Sequence, residues 1–114
     1  MALLVCFCQK GSEVDWRNKA IYLDQRFYGL LFEYYRKRES DSALKAMVAL
    51  GYGDEYVIPL DRLSEPLDEL RHIASEGVLP HPQVDALASV FIEAASRKLD
   101  LAISGDMYPD LSRE

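Results

Sequence analysis

The sequence predicts a small α/β domain in which helix pairs alternate with strands. Three observations carry that expectation. Leu3 to Cys8 is apolar at every position, as in a strand covered on both faces. Leu99 to Ser104 is a second, mainly apolar run near the other end of the chain. Between them, apolar residues recur at helical spacing in segments bounded by capping residues and glycines. The order read is β-α-α-β-α-α-β, with helices packed on a short, at least partly parallel sheet. The alternative is an α+β fold in which "KAIYL" (19–23) pairs antiparallel with the first strand.

Each element has its own warrant. Lys10-Gly11-Ser12 breaks the first strand. Residues 12–23 read two ways, because Ser12 and Asp15 suit a capping box while "KAIYL" suits a strand. Asp24 is an N-cap for "QRFYGLLFEYYRKR", with Leu23 and Tyr28 spaced for a hydrophobic staple. In that helix Leu23, Phe27, Leu30, Leu31 and Tyr34 form one stripe, widened by Tyr28, Phe32 and Tyr35. The basic Arg36, Lys37 and Arg38 at its end complement the helix dipole.

Ser40 or Asp41 is expected to cap a short second helix, "SALKAMVALG", closed by Gly51. A short strand follows around Tyr56 to Ile58. Ser64 is expected to cap a third helix that tolerates Pro66 in its first turn, buries Leu63, Leu67, Leu70 and Ala74, and stops at Gly77. His81-Pro82 opens a fourth, with Val84, Leu87, Ala88, Phe91 and Ala95 inward. At 114 residues the whole reads as one domain, able to bury roughly two-thirds of its unfolded surface without a disulfide or metal.

Composition narrows the functions. The net charge is −6, which argues against nucleic acid, since phosphate binding needs clustered Lys and Arg. No run approaches the ~20 apolar residues of a membrane span, and the start carries no basic region or cleavage site of a secretory signal. A cytoplasmic, membrane-free protein is expected. Cys6 and Cys8 could give a metal only two ligands where zinc wants four, so they are read as buried apolar residues. No nucleophile elbow, Gly-rich phosphate loop or H-E-x-x-H is present, and neither catalytic residues nor a cofactor is expected.

The charge is unevenly spread. Residues through Gly53 hold eight Lys+Arg against six Asp+Glu, whereas the remainder holds five against thirteen. In the third helix Glu65, Asp68, Glu69, His72 and Glu76 form one stripe at helical spacing. Like charges so spaced weaken a helix by a few tenths of a kcal/mol per pair, and the dipole explains only those in the first turn. The stripe is read as a face that docks a basic protein partner, as an inhibitor or immunity-type protein covers a basic cleft. With His72 in it, docking should depend modestly on pH. Seven of the aromatics are Tyr, and Tyr22, Tyr52, Tyr56 and Tyr108 fall at element ends, which suits an interface.

Two alternatives come from other classes. If the strands were parallel, Lys10, Asp61, Arg62, Asp106 and Tyr108 would share one strand-end crevice fit for a small ligand or an enzyme. A homodimer pairing through helix aromatics is the other.

Overall fold

The computed structural model describes residues 2–17, 19–38, 42–51 and 53–106. Its sheet has four strands: β1 (Ala2–Cys8), β2 (Lys19–Leu23), β3 (Glu55–Ile58) and β4 (Asp100–Asp106). They lie in the order β2-β1-β4-β3, and every adjacent pair is antiparallel. The expected parallel arrangement is therefore corrected. The physical reason is that the chain reverses at every connection: β2 turns straight back along β1, and the two later connections each carry a helix pair. One helix between strands brings the chain back to its starting edge and gives parallel strands. A pair of helices crosses the sheet face twice and delivers the chain to the edge it just left, so the next strand runs back.

The all-apolar β1 does occupy the interior, between β2 and β4. "KAIYL" is a strand, β2, bonded to β1 in the register Leu3↔Leu23 and Val5↔Ile21, with a bulge between Val5 and Cys6. The α+β reading of that segment holds, and the capping box at Ser12 does not form a helix.

Four helices follow: α1 (Gln25–Arg36), α2 (Ala43–Val48), α3 (Ser64–Ser75) and α4 (His81–Arg97), with a 3-10 turn at Leu60–Arg62 before α3. Asp24 caps α1, accepting from the Phe27 N–H at 2.9 Å. Ser42, rather than Ser40 or Asp41, caps α2, accepting from Lys45 N–H at 3.1 Å; the two expected caps lie outside the described residues. Gly51 does not close α2, which ends at Val48; its N–H instead reaches the Asp54 carboxylate at 2.8 Å. Ser64 is the first residue of α3 instead of its cap. Gly77, at φ 74°, closes α3 in the left-handed conformation that a Cβ disfavours.

One sheet face carries Leu3, Val5, Leu23, Ile58, Leu101 and Ile103 into a core shared with Phe27, Leu31, Leu70, Leu87 and Phe91. Each such side chain contributes about 1.5–3 kcal/mol on burial. On the opposite face the chain after β1 folds back, bringing Cys6 Sγ to 3.9 Å from the Trp16 carbonyl and Cys8 Sγ to 3.7 Å from that of Ser12. Both cysteines are buried free thiols. Burial pushes both pKa values up, and Asp100 adds to the effect at Cys8.

Candidate functional site

Helix α3 is anchored before it begins. The buried Asp100 carboxylate accepts the Leu60 N–H at 2.8 Å, tying the 3-10 turn to the start of β4. No side chain caps α3, but Pro66 in the first turn has no N–H to satisfy. The buried side is Leu63, Pro66, Leu70 and Ile73, with Leu67 and Ala74 half-buried beside them. The helix is thus rolled relative to the expected apolar side, away from Ala74 and towards Ile73. That roll carries Glu69 and Glu76 off the outer face and onto the flank that meets α1.

There the two carboxylates, two turns apart, meet two consecutive tyrosines. The Tyr35 hydroxyl donates to Glu69, and the Tyr34 hydroxyl donates to Glu76 Oε2 at 2.8 Å. The rings of Tyr34 and Tyr35 pack edge to face at 5.1 Å between centroids. Arg38 lies 3.8 Å over the Tyr34 ring and donates to its carbonyl at 2.7 Å, which fixes the end of α1. Burial, reinforced by the Glu69 carboxylate, holds the Tyr35 hydroxyl far above the ordinary tyrosine pKa. Tyr34 shifts the same way from burial and its bond to Glu76.

The stripe seen in the sequence is therefore two groups. Glu65, Asp68 and His72 face outward and are exposed. Glu65 is held by Arg62 at 3.0 Å, and His72 Nε2 lies 3.7 Å from Glu76. Asp68 has no ion-pair partner among the described residues. Glu69 is half-buried in the seam, and the Glu76 side chain is 38% exposed.

Beside the seam is a cleft of about 80 Å3 between the start of α2, β3 and α3, lined by Ser42, Tyr56, Pro59, Arg62, Glu65 and Glu69 among others. Ser42, Tyr34 and Tyr35 were missing from the expected site, and Tyr56 was expected only as a tyrosine at an element end that suits an interface. No local pattern links Tyr34 and Tyr35 to carboxylates 42 and 34 residues away. The available signal was that Glu69 and Glu76 each follow a buried residue, Pro66 and Ile73, by three positions.

The expected strand-end crevice is not formed. In the antiparallel ladder Asp106 is paired with Ala2, whereas Lys10 follows Cys8, whose partner is Asp100. Lys10 and Asp106 thus stand at opposite ends of β1. Asp61 and Arg62 follow β3, whose Ile58 pairs with Leu101, so they belong to the Lys10 end. Tyr108 lies outside the described residues, as does Tyr52.

Comparison with family models, curated proteins and solved structures gives no match. Among the described residues no group of three or more His, Cys, Asp or Glu is placed to hold a metal ion. No helix among them is long and apolar enough to cross a membrane.

Proposed function

We propose that this chain is a non-enzymatic protein-binding module that offers the outer face of α3 to a basic partner. The observation that supports the reading is an exposed acidic face with a fixed flank. Tyr34 and Tyr35 fix Glu76 and Glu69 along one flank, while Glu65, Asp68 and His72 stand exposed beside them. Of the outward carboxylates, Glu65 is held by Arg62 and so loses less side-chain entropy when a partner docks. Complementary charge then acts mainly on association rate and selectivity. An inhibitor or immunity-type protein that covers a basic cleft is one form of this reading.

The homodimer reading has less behind it. Phe27, Leu31 and Tyr35 of α1 are buried, Tyr28 and Tyr34 are half-buried, and Phe32 is the α1 aromatic with a largely open ring. Pairing through helix aromatics would rest mostly on that one residue.

The test uses Glu65→Lys and Asp68→Lys, which face outward; reversal at Glu69 or Glu76 would also break the seam. Proteins captured from extract of the native cell by wild-type chain are identified and their affinity measured across salt. The expected result is a basic partner whose binding falls at least tenfold in the double variant and weakens between about 50 and 200 mM salt. A partner bound equally by both forms overturns the reading.

A further inference from the structure

The end of the sheet opposite Asp106 holds a cavity of about 500 Å3, lined by Phe7, Gln9, Lys19, Arg97 and Leu99. Two cations and no carboxylate line it, in a chain whose net charge is −6. Ligand pockets commonly have this volume, and the wall here is mainly polar, open to solvent, with Phe7 and Leu99 as its apolar part.

The simpler explanation for Arg97 is that it serves the C-terminal end of α4. The geometry gives it other work. The last turn of α4 is closed by main chain, with Leu99 N–H on the Ala94 carbonyl at 2.8 Å and Lys98 N–H on that of Ala95 at 3.2 Å. Lys98 adopts φ 57° to make this closure. The Arg97 guanidinium instead lies over the Phe7 ring, 4.8 Å from its centroid, with one nitrogen on Glu93 at 3.0 Å. That contact uses part of a five-donor fork and leaves the remaining N–H groups for a further acceptor. Lys19 enters from the other wall because β2 runs antiparallel to β1, so the start of one strand lies beside the end of the other.

We infer that this cavity binds a small organic anion, its carboxylate or phosphate between Lys19 and Arg97 and its apolar body against Leu99 and the Phe7 edge. Gln9 supplies an amide that can donate to the same acid group or accept from a hydroxyl on the ligand. Two exposed cations from two elements lining one open groove suit an acidic head approached from outside, as Arg recognises carboxylate and phosphate by its planar fork.

The test is an amide NMR titration of the full chain with phenyl phosphate and with benzoate. Benzyl alcohol and sodium chloride at matched ionic strength serve as controls. The expected result is saturable shifts confined to residues 7–9, 19–20 and 97–99 with at least one anion, reached below about 10 mM and absent in both controls. Whichever anion binds more tightly identifies the acid group the site prefers. Lys19→Gln and Arg97→Gln should each weaken binding by about tenfold. Thermal unfolding of both variants checks that they fold, and Lys19, exposed at a strand start, serves as the variant least coupled to α4. Shifts that never saturate, that appear equally with benzyl alcohol, or that survive Lys19→Gln unchanged overturn the proposal.

Discussion

At the scale of single residues, the bond from Tyr35 to Glu69 is the contact with the most at stake. It joins a buried hydroxyl to a half-buried carboxylate, and hydrogen bonds to charged groups contribute about 1.5–3 kcal/mol. Tyr35→Phe keeps the ring and its packing against Tyr34 but leaves Glu69 to recover water through the adjoining cleft. The expected loss is about 1–2 kcal/mol in urea unfolding, against about 0.5 kcal/mol for Tyr34→Phe, whose bond to Glu76 is exposed. The alkaline limb should move as well. Tyr35 has a folded pKa raised above its unfolded value near 10, so the folded state keeps a proton that the unfolded state gives up. Its contribution is fully present below about pH 10 and is lost as pH climbs towards the folded value. Tyr35→Phe should therefore flatten the decline of stability above pH 10 without removing it, because Tyr28 and Tyr34 are raised too.

At the scale of elements, the chain's capping residues separate what sequence could tell from what it could not. Asp24 was legible, since a carboxylate directly before an amphipathic run has one obvious N–H to accept. Ser64 was misread by one position. The 3-10 turn at Leu60–Arg62, pinned by Asp100 from 40 residues away, advances the start of α3 so that Ser64 falls inside the helix. Long-range anchors of that kind leave no trace in local spacing. The roll of α3 has a similar origin. It packs chiefly on α2 and α4 and is tied to α1 through the tyrosine hydroxyls, so its buried side is set by several packing partners rather than by the widest apolar arc. The difference is measurable. Asp24→Ala should cost about 1 kcal/mol of unfolding free energy, and Ser42→Ala a similar amount at α2. Ser64→Ala, with no N–H bonded to its side chain, should stay within about 0.5 kcal/mol of wild type.

At the scale of the molecule, element types were largely readable while their arrangement was not. Apolar runs and helical periods are local, but whether strands run parallel depends on how often each connection crosses the sheet. Counting two helices per connection would have favoured antiparallel pairing of β3 with β4, but setting β1 against β4, and so Lys10 away from Asp106, also needs the reversal between β1 and β2. The ladder that dissolved that crevice set Lys19 beside the end of β1, where Arg97 at the end of α4 joins Gln9, and the acidic residues stand on the neighbouring helix α3. The two surfaces share no residue, and energies of distant sites without common partners add to within about 0.5 kcal/mol. Glu65→Lys with Asp68→Lys should therefore weaken partner binding at least tenfold and leave the anion titration at residues 7–9 and 97–99 unchanged. Lys19→Gln with Arg97→Gln should do the reverse. If instead an anion that saturates the cavity changes partner affinity, the variants at either surface should alter that change equally in both directions, because linkage is reciprocal. Measuring all four combinations by calorimetry distinguishes two independent surfaces from one coupled device.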